Sequence, residues 1–200
     1  MPGKPGRDQG LSSEELLKIE FDYIARNAFQ ADEDRARVSS FYLVAVGSLI
    51  AALVSTQFFD KNLDPTLVAL AFSGLFFILT ILGTLTTLQL SRLRAAWYDS
   101  MLAMNQLKDF WIKEVESKNI KRAFKWDTLT LPGKFKLNSV SFYQTIEVAL
   151  LSGITFGASV YFFQKGINYG CPSCNWAYTL SSGLLAFFFQ IWIYKLNLGR

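Results

Sequence analysis

Four long stretches almost free of charge constrain this chain more than anything else in it. Residues 38–59 and 66–91 hold no Asp, Glu, Lys or Arg, residues 140–164 hold one (Glu147), and residues 176–194 hold none. A hydrocarbon layer about 30 Å thick is crossed by about 20 apolar residues in helical form. Within it the backbone must satisfy its own hydrogen bonds, which leaves helices or closed barrels. The stretches are continuous rather than alternating, so they predict four transmembrane helices. The first is not a signal peptide, because 37 mostly polar residues precede it and it exceeds an h-region in length.

The expected fold class is an all-α integral membrane protein. Four transmembrane helices are joined by amphipathic cytoplasmic helices before the first span and after the second. The predicted order is a disordered N-terminus (1–12), a cytoplasmic helix (13–37) and a first transmembrane hairpin (38–91). A cytoplasmic helix and linker (92–139), a second hairpin (140–194) and a cytoplasmic tail (195–200) follow.

Charge sets the orientation. Eighteen of the twenty Lys and Arg residues fall in 1–37, 92–139 and 195–200, and the other two are Lys61 and Lys165. Loops rich in Lys and Arg stay cytoplasmic. Both termini are therefore expected inside a plasma (inner) membrane. The net charge of +4 reads as a topology signal and gives no reason to expect nucleic-acid binding.

The cytoplasmic segments carry helical patterns. Ser12 and Glu15 have capping-box spacing. Leu16, Leu17, Ile19, Phe21, Tyr23, Ile24, Ala28 and Phe29 then form a broad apolar stripe, and the helix either continues into the first span or bends near 31–37. Leu93, Trp97, Met101, Met104, Leu107, Trp111 and Val115 recur at steps of three and four, an amphipathic helix continuing from the second span. It either lies on headgroups or packs on the N-terminal helix, and packing is the favoured expectation. Pro65 is expected to open the second span, and Asn138 or Ser139 to cap the third.

Inside the spans, Glu147 is the only carboxylate. It either lines a pore or senses ions, or it is a hydrogen-bonded group near the interface. Thr80, Thr84, Thr87 and Ser91 form a hydroxyl stripe that either wets a pore or bonds back to carbonyls four residues earlier. Ala149, Gly153 and Gly157 recur every four residues, which admits a close helix neighbour from the same chain or another. Phe76, Phe77, Phe187, Phe188 and Phe189 read mostly as lipid-facing bulk.

The absence of histidine removes the usual metal ligand and the usual general base. No Gly-rich phosphate loop, serine elbow or carboxylate pair is present, so no enzyme, cofactor or metal site is expected. Cys171 and Cys174 fall on the outer side, where disulfides persist. A structural bridge leads, with a redox pair or half of a shared metal site as alternatives. A Cys-x-x-Cys before the fourth helix resembles the vitamin K epoxide reductase and quinone-linked disulfide-generating families. Those families use a second cysteine pair, and this chain has one pair.

The segment Phe21-Asp22-Tyr23-Ile24-Ala25-Arg26-Asn27-Ala28-Phe29 through Arg35-Ala36-Arg37-Val38 leads into a hairpin of two spans and then a long cytoplasmic helix. Over residues 13–118 this layout resembles the SLATT-type membrane effectors of bacterial anti-phage, nucleotide-signalling systems. The resemblance implies an oligomeric pore or membrane-disrupting module under cytoplasmic control. The expected function is thus a homo-oligomeric effector in the lipid bilayer that forms or gates an ion-conducting pore, with a cytoplasmic protein or nucleotide as regulator. The alternatives are a non-conducting adaptor that recruits a soluble partner and, third, a thiol-disulfide oxidoreductase.

Overall fold

A computed structural model describes residues 13–56, 64–115, 131–167 and 172–199. The described residues form four helices: α1 (Ser13–Thr56), α2 (Pro65–Val115), α3 (Val140–Gly166) and α4 (Pro172–Leu198). No strand occurs among them. All four are long and apolar enough to cross a membrane, as in a multi-pass membrane protein.

Local chemistry explains the helix starts. The Asp64 carboxylate accepts the Thr66 amide at 2.9 Å and its carbonyl accepts the Val68 amide at 3.1 Å. Pro65, which lacks an N–H, takes the first helical position at no loss. Ser139 caps α3 by accepting the Phe142 amide at 3.3 Å, so the cap falls on Ser139 rather than Asn138. The capping box at Ser12 and the reading of 1–12 as disordered lie outside the described residues. Helix α1 runs through residues 31–37 without a break, and α2 continues past Ser91 to Val115.

The chain divides into two compact units. Residues 1–30 and 96–132 make the first, and 31–95 with 133–200 make the second. In the first unit Ile24, Ala28, Met104 and Asn105 are buried. The second unit extends past the uncharged stretches to include 31–37, 92–95 and 133–139. Side chains there are buried in it: Ala31, Arg35 and Arg94 are each 6% exposed. Phe135 packs edge-on against Phe142 at 5.6 Å and tilted against Tyr194 at 6.5 Å.

The second unit is built on a seven-residue repeat. Helix α1 buries Arg35, Ser39, Tyr42 and Val46. Helix α2 buries Ala69, Ser73, Phe76, Thr80, Gly83, Thr87, Leu90 and Arg94, and α3 buries Ser141, Thr145, Val148, Ser152, Thr155 and Ser159. The steps alternate between three and four, the spacing that keeps one seam of a helix facing its neighbours in a left-handed bundle. Phe76 lies on this seam. It is buried and stacks on Phe162 at 5.7 Å, which corrects the expectation of lipid-facing bulk; Phe77, one residue and about 100° further round, is exposed.

Candidate functional site

Most seam residues in the second unit are small or hydroxylic, so the helices approach closely and join through polar bonds. Such packing replaces the hydrophobic drive that lipid does not supply. Pairings across α2 and α3 run antiparallel. Ser73 and Ser159 each donate to the other's backbone carbonyl at 2.9 Å. Thr80 and Thr155 hydroxyls meet at 3.0 Å, and Ser152 donates to the Thr80 carbonyl at 3.3 Å.

Helix α4 adds an amide to these hydroxyls. Gln190, 1% exposed, accepts from Thr87 at 3.0 Å. Its nitrogen donates to Thr84 at 3.4 Å and to the Ser152 hydroxyl. The anticipated stripe Thr80, Thr84 and Thr87 is therefore brought together with Ser152, Thr155 and Gln190 inside this chain's own bundle. Thr80 and Thr84 also bond back to Phe76 and Thr80 carbonyls, each at 3.0 Å. Together with Gln190 they form the polar wall of a groove of about 460 Å³, whose apolar lining includes Phe77, Phe156 and Phe189. The Tyr42 hydroxyl is buried near the Ser152 hydroxyl at Gly83 with no hydrogen bond of ordinary geometry.

The small-residue stripe faces α4. A Cβ on Gly157 would stand 3.0 Å from the Thr179 carbonyl oxygen, and one on Gly153 would collide with Gly183. Ala149 is fully buried one turn further along.

Glu147 points the other way. It is exposed on α3, in a row with Val140, Tyr143, Leu150 and Ile154, all exposed and spaced by three and four. It has no hydrogen bond or ion pair among the described residues. Seven residues of helix place it about 10 Å in from Val140.

At the same end of the bundle the seam closes on arginine. Arg35 sits one heptad before Tyr42, and Arg94 one heptad after Thr87. Both flank the uncharged stretches 38–59 and 66–91. Arg35 pairs through Nη2 with Asp32, while its Nε and Nη1 are buried without a partner. Arg94 donates from Nε to the Lys134 carbonyl at 3.2 Å. Burial and then the positive charge of Arg94 hold the Arg35 guanidinium below its ordinary pKa, with the Tyr194 phenol acting in the opposite sense. Burial also lowers Arg94. The Tyr194 hydroxyl meets the Ser141 hydroxyl at 3.0 Å. Each buried donor left unmade costs about 1–3 kcal/mol.

Sequence reasoning did not single out Ser152, Thr155, Ser159, Gln190, Tyr42, Tyr194 or the buried arginines as a set. The signal was the heptad spacing across three helices. Cys171 and the Cys174 side chain lie outside the described residues, so the bridge between them does too. No cluster of His, Cys, Asp or Glu able to hold a metal occurs among the described residues. No protein-family model, curated protein or solved structure matches the chain.

Proposed function

We propose that this chain is an oligomeric membrane effector that forms or gates an ion-conducting pore, controlled through its cytoplasmic helical segments. Glu147 carries the reading. A carboxylate deep in a span costs about 2.5–3.5 kcal/mol at mid-membrane, and such groups face bundle interiors or water rather than lipid. Here the bundle interior is occupied by the hydroxyl seam, and Glu147 lies on the outside of α3. Packing of α3 against α3 of other subunits, through Val140, Tyr143, Leu150 and Ile154, puts Glu147 around a shared axis. A ring of carboxylates there selects cations.

The charge asymmetry supports placing both termini and residues 92–139 on the cytoplasmic side of a plasma (inner) membrane. The SLATT-like layout supports a role in anti-phage defence. The deciding experiment is cation flux from liposomes holding the purified chain, with subunit number measured in the same preparation. Flux by an oligomer supports the proposal. A monomer that conducts under no ligand or voltage overturns it.

A non-conducting adaptor is the second reading. Leu16, Ile19, Tyr23 and Phe29 of the first unit are between 51% and 73% exposed, an apolar surface of the kind that binds soluble partners. Recovery of a cytoplasmic protein that depends on these residues, without flux, favours it.

A further inference from the structure

The layer formed by Arg35, Arg94, Ser141 and Tyr194 has a consequence that conduction does not require. Each of the four helices contributes one residue to it. Arg35 and Arg94 occupy heptad positions that elsewhere hold small or apolar side chains. Two guanidiniums in one buried layer repel each other, and an anion held between them relieves that repulsion. Asp32 answers only Nη2 of Arg35, and its own side chain is 51% exposed. Nε and Nη1 of Arg35 remain buried donors with nothing to bond, on a side chain 7% exposed. The hydroxyls of Ser141 and Tyr194 bond to each other at 3.0 Å, which leaves the layer one further O–H donor. Lys195 lies 5.9 Å from the Phe135 ring centroid, beside the same aromatic cluster, and adds positive charge there.

We propose that this layer is a binding site for a phosphate group, with Arg35 Nε and Nη1 as its principal donors. Phosphate rather than carboxylate follows from position and charge. Arg35 precedes the first uncharged stretch by three residues and Arg94 follows the second by three, which is the level of lipid phosphates. Arginine is also the side chain best suited to phosphate oxygens. The phosphate belongs either to an anionic lipid headgroup or to a soluble ion from the aqueous side. Its chemistry at the site is the same in both cases. Bound there, it joins all four helices of the unit, so occupancy stabilises the bundle.

The test is thermal unfolding of the full chain in dodecyl maltoside without phosphate. One arm adds inorganic phosphate, a second adds phosphatidylglycerol, and a third adds diacylglycerol, which has the chains but no phosphate. The expected result is a saturable rise in midpoint of about 5 °C with phosphate, phosphatidylglycerol or both, and none with diacylglycerol. A rise with phosphatidylglycerol alone assigns the headgroup, one with phosphate alone assigns the soluble ion, and both assign a shared site. Arg35→Gln removes the rise. Arg35→Lys, which keeps the charge but lacks Nε and Nη1, shows less than half of it and serves if the first variant fails to fold. Three results overturn the proposal: no rise with either phosphate source, an equal rise with diacylglycerol, or a wild-type rise in Arg35→Lys. Because the readout is unfolding, its failure leaves the conduction reading untouched.

Discussion

A Cβ placed on Gly153 of α3 would stand 2.8 Å from the carbonyl oxygen of Gly183 on α4, and one placed on Gly183 would stand 2.9 Å from the carbonyl oxygen of Gly153. The contact is reciprocal and one partner in each direction is backbone, which cannot swing aside. Gly153→Ala and Gly183→Ala should each lower stability by about 1–3 kcal/mol through overpacking. Gly74 has nothing within 4 Å of a built Cβ. Gly74→Ala should match the wild type or exceed it by up to about 1 kcal/mol, since alanine suits helices better. Unfolding followed by circular dichroism in detergent separates these variants, and equal losses at Gly74 and Gly153 would count against the close approach.

Gln190 should behave as the hub of the polar seam. Its replacement by Leu leaves Thr87, which is fully buried, without the acceptor it uses. A loss of about 1 kcal/mol is expected. The Thr87→Val and Gln190→Leu pair should be coupled by about 0.6 kcal/mol, the usual size of such bonds in membranes. Strict additivity in the double-mutant cycle would show that the two side chains do not interact.

Tyr42 offers a sharper test. Its hydroxyl is buried without a hydrogen bond, so Tyr42→Phe should be neutral or stabilising by up to about 1 kcal/mol. A Cβ on Gly83 would come within 2.6 Å of that hydroxyl and 2.7 Å of the Ser152 hydroxyl. Gly83→Ala should therefore cost about 1–3 kcal/mol. Adding Tyr42→Phe should restore part of the loss but not all, because Ser152 stays. Full recovery, or none, would mean that the crowding around Gly83 is placed wrongly.

Glu147→Gln separates the two functional readings. In a pore it should reduce cation preference, measured as a shift in reversal potential, with the fold unchanged because Glu147 is exposed and has no ion pair among the described residues. In an adaptor it should change nothing. Phe29→Asp, at a position 73% exposed, should abolish partner recovery in the second case and leave flux intact in the first.

Much of this arrangement was legible in the chain itself. Uncharged stretches of the right length announce helices, Pro65 marks a helix start, and Gly153 with Gly157 marks a close neighbour. The seam was harder. Thr80, Thr84 and Thr87 attract notice as a cluster on one helix, yet their meaning depends on Ser152 and Thr155 of another helix and on Gln190 of a third. Such pairings join positions between 72 and 106 residues apart, and spacing within one helix cannot reveal them. In the sequence Arg35 and Arg94 count only as topology charges, because only the packed bundle shows that a charge just outside a span is buried. Phe76 and Phe77 are neighbours in sequence and opposites in environment, a distinction that the heptad phase makes and composition does not.

The hydroxyls of the second unit differ in when their bonds become available. Thr84, Thr86 and Thr145 donate to carbonyls four residues back in their own helices. Such a helix can leave the insertion machinery for lipid with those groups already satisfied, whatever its neighbours are doing. Gln190 is of the other kind, since its bonds run to Thr87, Thr84 and Ser152 on other helices. Until those helices arrive, its amide sits bare in hydrocarbon. Helix α4 thus carries a polar group that its own backbone does not satisfy, and its place in a bilayer would be the more secure for companions already there.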